Sequence, residues 1–244
     1  MKIHVYAVCW NESKFLPFFL DHYSKISDQI TIFDNYSTDN SVEIINSYPN
    51  TRVINYGTNG EIVDDVWQYM KNNMWKTSVG KCDWVIVCDI DEMLYHPNMS
   101  QFLIDMKNDE YTLLDPETYH MFSEDYPKYD GKSIMEICKT GFKDNGSFGK
   151  ILIFNPNVIE DINYIPGAHK CEPVGNVKVY KSDGDFKLLH YKFLCLETLQ
   201  EKYRIYAERM SDNNLKKGQS KHYLMSDSLE KQFISLRKIV KEII

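Results

Sequence analysis

Residues 83–94 read DWVIVCDIDEML: an apolar stretch, then three acids in four positions. Val85 to Cys88 form an unbroken apolar run. Such a run suits a strand covered on both faces, as in a parallel sheet. Asp89, Ile90, Asp91 and Glu92 follow at once. Ligands of open α/β sheets bind beyond the carboxyl ends of the strands, so these acids fall where a ligand would sit. On an extended segment Asp89 and Asp91, two residues apart, point to the same side. Paired carboxylates repel unless a cation lies between them, and oxygen donors suit Mg²⁺ or Mn²⁺. The plainer alternative is a solvated strand end.

Three strand–helix units precede this stretch. Residues 4–10, 29–35 and 51–57 are rich in β-branched and aromatic residues and predict strands. Residues 11–26 predict a helix with Phe15, Phe18, Phe19, His22 and Tyr23 along one side and Pro17 in its first turn, where proline is tolerated. A short helix is expected over 41–48. A longer one is expected over 61–80, with Ile62, Val66, Tyr69 or Met70, and Met74 on one face. Four strands alternating with helices predict an α/β fold with a mostly parallel sheet flanked by helices. Asn11 and Glu12, Asp34 and Asn35, and Asp89 to Glu92 then reach one rim.

The second half is less regular. Strands are expected over 111–122, 150–159, 177–180 and 186–193, with Gly141, Gly146 and Gly149 around a loop. Residues 196–210 and 228–244 predict amphipathic helices, the latter with Leu229, Phe233, Leu236, Val240 and Ile243 on one face. Lys231, Arg237, Lys238 and Lys241 lie beside that stripe. The last helix could rest on an anionic membrane or pack on its own domain. The expected organisation is one domain over 1–244, in a first part (1–97), a second part (98–225) and a C-terminal helix (226–244).

A formal net charge of −7 argues against nucleic-acid binding, which needs a basic surface. The six cysteines are scattered with no short-spaced pair, as in a reduced intracellular protein. No signal-like segment opens the chain and no apolar run approaches a membrane span, so the expected location is cytoplasmic, at most peripheral to the membrane. His169, Cys171, His190 and Cys195 lack zinc-site spacing.

Three stretches together resemble the GT-A glycosyltransferases of the family-2-like kind: VCWNE (8–12), IFDNYSTDNSVEI (32–44), and DWVIVCDIDEML as a DxD motif in its DxDE form. The resemblance spans residues 3–97 and fades beyond. It implies a metal-dependent, hexosyltransferase-like enzyme of polysaccharide or glycoconjugate synthesis. The donor would be a UDP-, GDP- or dTDP-sugar and the acceptor a saccharide or lipid-linked hydroxyl. Ala7, Trp10, Asn11, Glu12 and Ile90 would line the nucleotide pocket, and Asp34 with Asn35 would meet the base or ribose. Asp89 would contact the ribose or the metal, and Asp91 would ligate Mg²⁺ or Mn²⁺. His190 would complete the metal site or be a core histidine bonded to a carbonyl. Lys76 would meet a phosphate or be a solvated helix-end lysine. Glu124, Asp125 and Glu172 are rival general bases.

Two other readings stand beside this one. Haloacid-dehalogenase phosphatases also place an Asp-x-Asp after an apolar strand, with the first acid, here Asp89, as nucleophile. In that family Gly and Thr usually follow; here Glu92 and Met93 do. The other reading is a catalytically inactive carbohydrate-binding relative.

Overall fold

A computed structural model describes residues 1–146, 149–225 and 228–244. The first half alternates strand and helix: β1 (Ile3–Cys9), α1 (Leu16–Ser24), β2 (Gln29–Asp34), α2 (Ser41–Asn46), β3 (Thr51–Asn55), α3 (Asp64–Asn73) and β4 (Trp84–Asp89). β1 pairs in parallel with β2 and β4, and β2 with β3. Cys9 lies opposite Asp34, and Val8 opposite Asp89, so three carboxyl ends reach one level. The expected parallel α/β sheet is what the chain forms.

Beyond β4 come β5 (Glu92–Tyr95), α4 (Met99–Asn108), β6 (Leu113–Asp115), β7 (Glu117–Ser123), α5 (Ile134–Ile137), β8 (Thr140–Lys143), β9 (Ile153–Phe154), β10 (Ile159–Asp161), β11 (Val174–Gly175), β12 (Val179–Lys181) and β13 (Lys187–Leu194). The chain closes with α6 (Leu196–Glu208), α7 (Asp212–Lys217), α8 (Leu229–Leu236) and β14 (Lys241–Glu242). Among the described residues the main sheet runs β12-β6-β9-β4-β1-β2-β3, with β9 antiparallel to its neighbours. A second sheet runs β14-β8-β7-β13-β5.

Three expectations change. The strand expected over 111–122 is two strands in two sheets. Pro116 has no N–H for a ladder, and the chain crosses there from β6 to β7. The segment 150–159 keeps only β9 and the first residue of β10 in strands. The C-terminal helix ends at Leu236; residues 226 and 227 of that expected segment lie outside the described residues. The tail KIVKEII is rich in β-branched residues, which favour strands. It turns back so that β14 pairs with β8 and the Ile243 N–H donates to the Lys139 carbonyl.

One face of the main sheet packs on α1 and α4, through Phe18, Phe19, Leu103 and Leu188 among others. The other face packs on α3 and the turn after it, through Met70, Trp75 and Tyr164. A smaller cluster joins α6 and α8 to the second sheet through Phe122, Phe193, Leu199, Leu229 and Phe233. The apolar stripe of α8 is therefore occupied by its own domain. Among the described residues no helix is long and apolar enough to cross a membrane.

Candidate active site

A cleft of about 220 Å³ opens at the carboxyl edge of the main sheet. Each wall follows from local periodicity. Helix α3 contributes Asp64, Trp67, Gln68 and Lys71, spaced as one helical face. Helix α6 and the residue after it contribute Leu199, Lys202, Tyr203, Tyr206 and Arg209, again one face. Strand β13 contributes His190 and Lys192, two apart and so on one side. Trp10, Glu12, Asp89, Ile90 and Asp91 complete the floor. The Arg209 guanidinium lies 3.3 Å from the centre of the Trp10 ring, a cation–π contact.

Asp89 and Asp91 do not share an extended segment. Strand β4 ends at Asp89, and Ile90 and Asp91 form a turn into β5, which belongs to the second sheet. The two acids thus acquire different partners. Asp89 accepts from Lys71 Nζ at 2.6 Å through Oδ1 and from Lys150 Nζ at 2.7 Å through Oδ2. Lys150 also lies 2.5 Å from Glu92 Oε1, and Glu92 Oε2 accepts the Asp89 N–H at 2.9 Å. The Lys71 and Lys150 side chains are 9% and 5% exposed and that of Glu92 is 0% exposed, so this is a largely desolvated network.

On the other side of the turn, Asp91 Oδ1 lies 3.7 Å from His190 Nε2, and Oδ2 lies 3.7 Å from Lys202 Nζ. Lys202 also donates to Glu12 Oε1 at 3.1 Å. Burial raises the Asp89 pKa, but the charges of Lys150 and Lys71 outweigh it and hold the carboxyl well below the ordinary range. Burial likewise opposes ionisation of Asp91, and Lys202 and His190 overcome it. Glu12 goes the other way: burial raises its pKa, and Lys202 only partly offsets this.

At Asp89 the donor set does not fit the expected Mg²⁺ or Mn²⁺ site, whereas Asp91 Oδ1 faces His190 Nε2 at 3.7 Å. A divalent ion needs open carboxylate oxygens. Both oxygens of Asp89 already hold buried ammonium groups, and Lys202 lies between Glu12 and Asp91. Among the described residues no three His, Cys, Asp or Glu side chains are grouped to hold an ion.

Of the residues singled out in sequence, Trp10, Glu12, Asp89, Ile90, Asp91 and His190 line the cleft. The others lie off its walls. Ala7 is fully buried within β1. Asn11 accepts the Thr38 N–H and latches the 37–39 turn onto β1. Asp34, 1% exposed, accepts both the N–H and the hydroxyl of Ser37, closing that turn from within. Asn35 donates to Thr58. Lys76 pairs with Asp161. Glu124 forms a bidentate pair with Arg237 in a separate depression beside Phe122 and Lys139. The Asp125 carbonyl accepts the Ser123 hydroxyl, and Glu172 joins Asn163 through its backbone.

Sequence reading missed the cationic wall: Lys71, Lys150, Lys192, Lys202 and Arg209. A signal existed for part of it. Lys202, Tyr206 and Arg209 recur at three- and four-residue spacing in α6, as do Asp64, Gln68 and Lys71 in α3. Lys150 had none, because it reaches Asp89 from 61 residues away.

No family model and no curated protein matches the chain. Among solved structures it is similar to S. aureus TarS 1–349, at 14% identity and a TM-score of 0.47, over 96% of this chain and 71% of that one. A longer TarS structure is covered to 43%. TarS 1–349 in complex with UDP-GlcNAc gives 10% identity and a TM-score of 0.43, over 96% and 72% of the two chains. Glucosyl-3-phosphoglycerate synthase from Mycobacterium tuberculosis, in complex with Mn²⁺, UDP and phosphoglyceric acid, gives 16% and 0.34, over 49% and 43%. Likeness this loose assigns neither ligand nor chemistry. What the chain's own strands define is an α/β protein with a charged, aromatic-walled cleft at the carboxyl edge of a mostly parallel sheet.

Proposed function

We propose that the chain is a glycosyltransferase that moves a sugar from a nucleoside-diphosphate sugar to a hydroxyl acceptor. The observation that carries this reading is the convergence of Glu12, Asp89 and Asp91, from two adjacent strand ends, with five cationic side chains in one aromatic-walled cleft. The sequence motifs around those three acids support it. Tyr56 and Trp67 add aromatic surface to the lining that a base or sugar ring could meet, and Trp10 carries Arg209 over its ring. Leaving-group charge grows as the glycosidic bond breaks, and preset ammonium groups stabilise that charge without reorganising.

An inverting transfer needs a base for the acceptor hydroxyl. Glu12 suits that role among the cleft acids, since burial raises its proton affinity. Asp64 is raised too, but the Ser220 hydroxyl lies against both its oxygens. The phosphatase reading is weaker, because it needs an open nucleophilic oxygen on Asp89 and both carry ammonium groups.

The test is a thermal-shift panel of UDP, GDP, dTDP and their sugars, with and without Mn²⁺. Ligands that bind the native state raise its melting temperature by linkage. At least one nucleoside diphosphate should raise it, and Glu12→Gln, which removes the proposed base, should nearly abolish transfer from the matching sugar donor while leaving the unliganded transition cooperative. A panel with no shift in either condition overturns the reading.

A further inference from the structure

Lysines lie between two pairs of acids at the floor of the cleft, Asp89 with the buried Glu92 and Glu12 with Asp91. Lys150 Nζ lies between Asp89 Oδ2, at 2.7 Å, and Glu92 Oε1, at 2.5 Å. Lys202 Nζ lies between Glu12 Oε1, at 3.1 Å, and Asp91 Oδ2, at 3.7 Å. Lys71 fills the remaining oxygen of Asp89 at 2.6 Å. Resting on the nucleotide-sugar reading, we infer that this cleft holds the donor's diphosphate through lysine ammonium groups, with no divalent cation between the acids and the phosphates.

The electrostatics favour this over simple displacement of the lysines by an ion. Glu92 is fully buried, and Lys150 is the cation beside it. Moving Lys150 aside would strand that charge, which is costly in a desolvated site. With Lys150 in place, a divalent ion on Asp89 would sit beside an ammonium group and be repelled. Lys202 is the more open of the bridging lysines, 34% exposed on the cleft face of α6, so its remaining N–H groups can turn to a phosphate. The cleft walls carry five cationic side chains against four acidic ones, and the buried Glu92 beside Lys150 is a fifth acid, so the site is locally balanced in a chain of net charge −7. Its cationic groups stand at the phosphate positions without a metal.

The experiment is titration calorimetry of UDP, GDP and dTDP into the full chain, in chelator and in Mn²⁺. At least one should bind with matching affinity in both. Lys202→Ala should weaken that binding in chelator by about tenfold or more, the loss expected for one charge-assisted hydrogen bond. Because the substitution empties the space between Glu12 and Asp91, Mn²⁺ should restore part of the affinity in this variant. Lys71→Met is the second variant, and the unfolding transition of each is recorded alongside. Wild-type binding that appears only with Mn²⁺ overturns the inference and leaves the nucleotide-sugar reading standing. Equal affinity of wild type and both variants in chelator overturns the lysine assignment. No binding of any nucleoside diphosphate in either condition overturns both.

Discussion

Asp89 keeps its charge because Lys71 and Lys150 grip both of its oxygens. Folding therefore lowers its pKa below the ordinary 3.8. The unfolded chain binds the proton more readily, so the stability Asp89 contributes is fully present above about pH 4 and is lost progressively as the pH falls from there through the lower folded pKa. Asp89→Asn should cost roughly 2–3 kcal/mol near neutral pH, somewhat less than a fully buried pair because the carboxylate is 30% exposed. Urea unfolding should show that difference shrinking below about pH 3. An equal loss at both pH values would separate Asp89 from the network. The acids of this site were legible in sequence because an apolar run delivers them to a strand end. Their partners were not: Lys71 and Lys150 lie 18 and 61 residues away, and only the folded chain pairs them.

Strands and helices were legible where periodicity alone decides them. β1 to β4 and α1 to α3 follow from apolar runs and spacing. The second half was harder because single residues redirect its strands. Pro116 sends one apparent strand into two sheets, and the β-branched tail leaves α8 to pair with β8. Gly141 acts at the same scale. It lies opposite Met121 in the β7–β8 ladder, and a Cβ there would stand 2.4 Å from the His120 carbonyl oxygen. Gly141→Ala should therefore destabilise by about 1–3 kcal/mol, the usual range for overpacking, measured as a shift in the urea midpoint. An unchanged midpoint would mean that β8 slides without cost. The α6 stripe carries a further lesson. Read as generic amphipathicity, its polar face hid Lys202, Tyr206 and Arg209, because hydrophobic spacing locates the buried side and says nothing of what the other side meets.

At the scale of the molecule, the cleft depends on packing behind its walls. Phe233 of α8, 1% exposed, lies with its ring 4.6 Å from that of Phe122 and shares a cluster with Leu199 and Tyr203 of α6. Phe233→Ala should cost about 3–5 kcal/mol by denaturant unfolding, the range for removing a buried aromatic. It should also weaken nucleoside-diphosphate binding, because α6 carries Lys202. Loss of stability with unaltered affinity would show that α6 holds its position without α8. The two halves expected from sequence, divided near residue 97, are interlaced in the fold. β5 leaves the first half to become an edge of the second sheet, while β6, β9 and β12 return to extend the main one. Across that junction His190 stands opposite Glu92, and the Tyr191 N–H donates to the Asp91 carbonyl at 2.8 Å. An engineer wishing to exchange one half of the chain for that of another protein would find no seam to cut. A fragment ending at residue 97 would keep the acids but lose Lys150, Lys202 and β9, the strand that covers one edge of β4, so the cleft can be altered only in the intact chain and not assembled from modules.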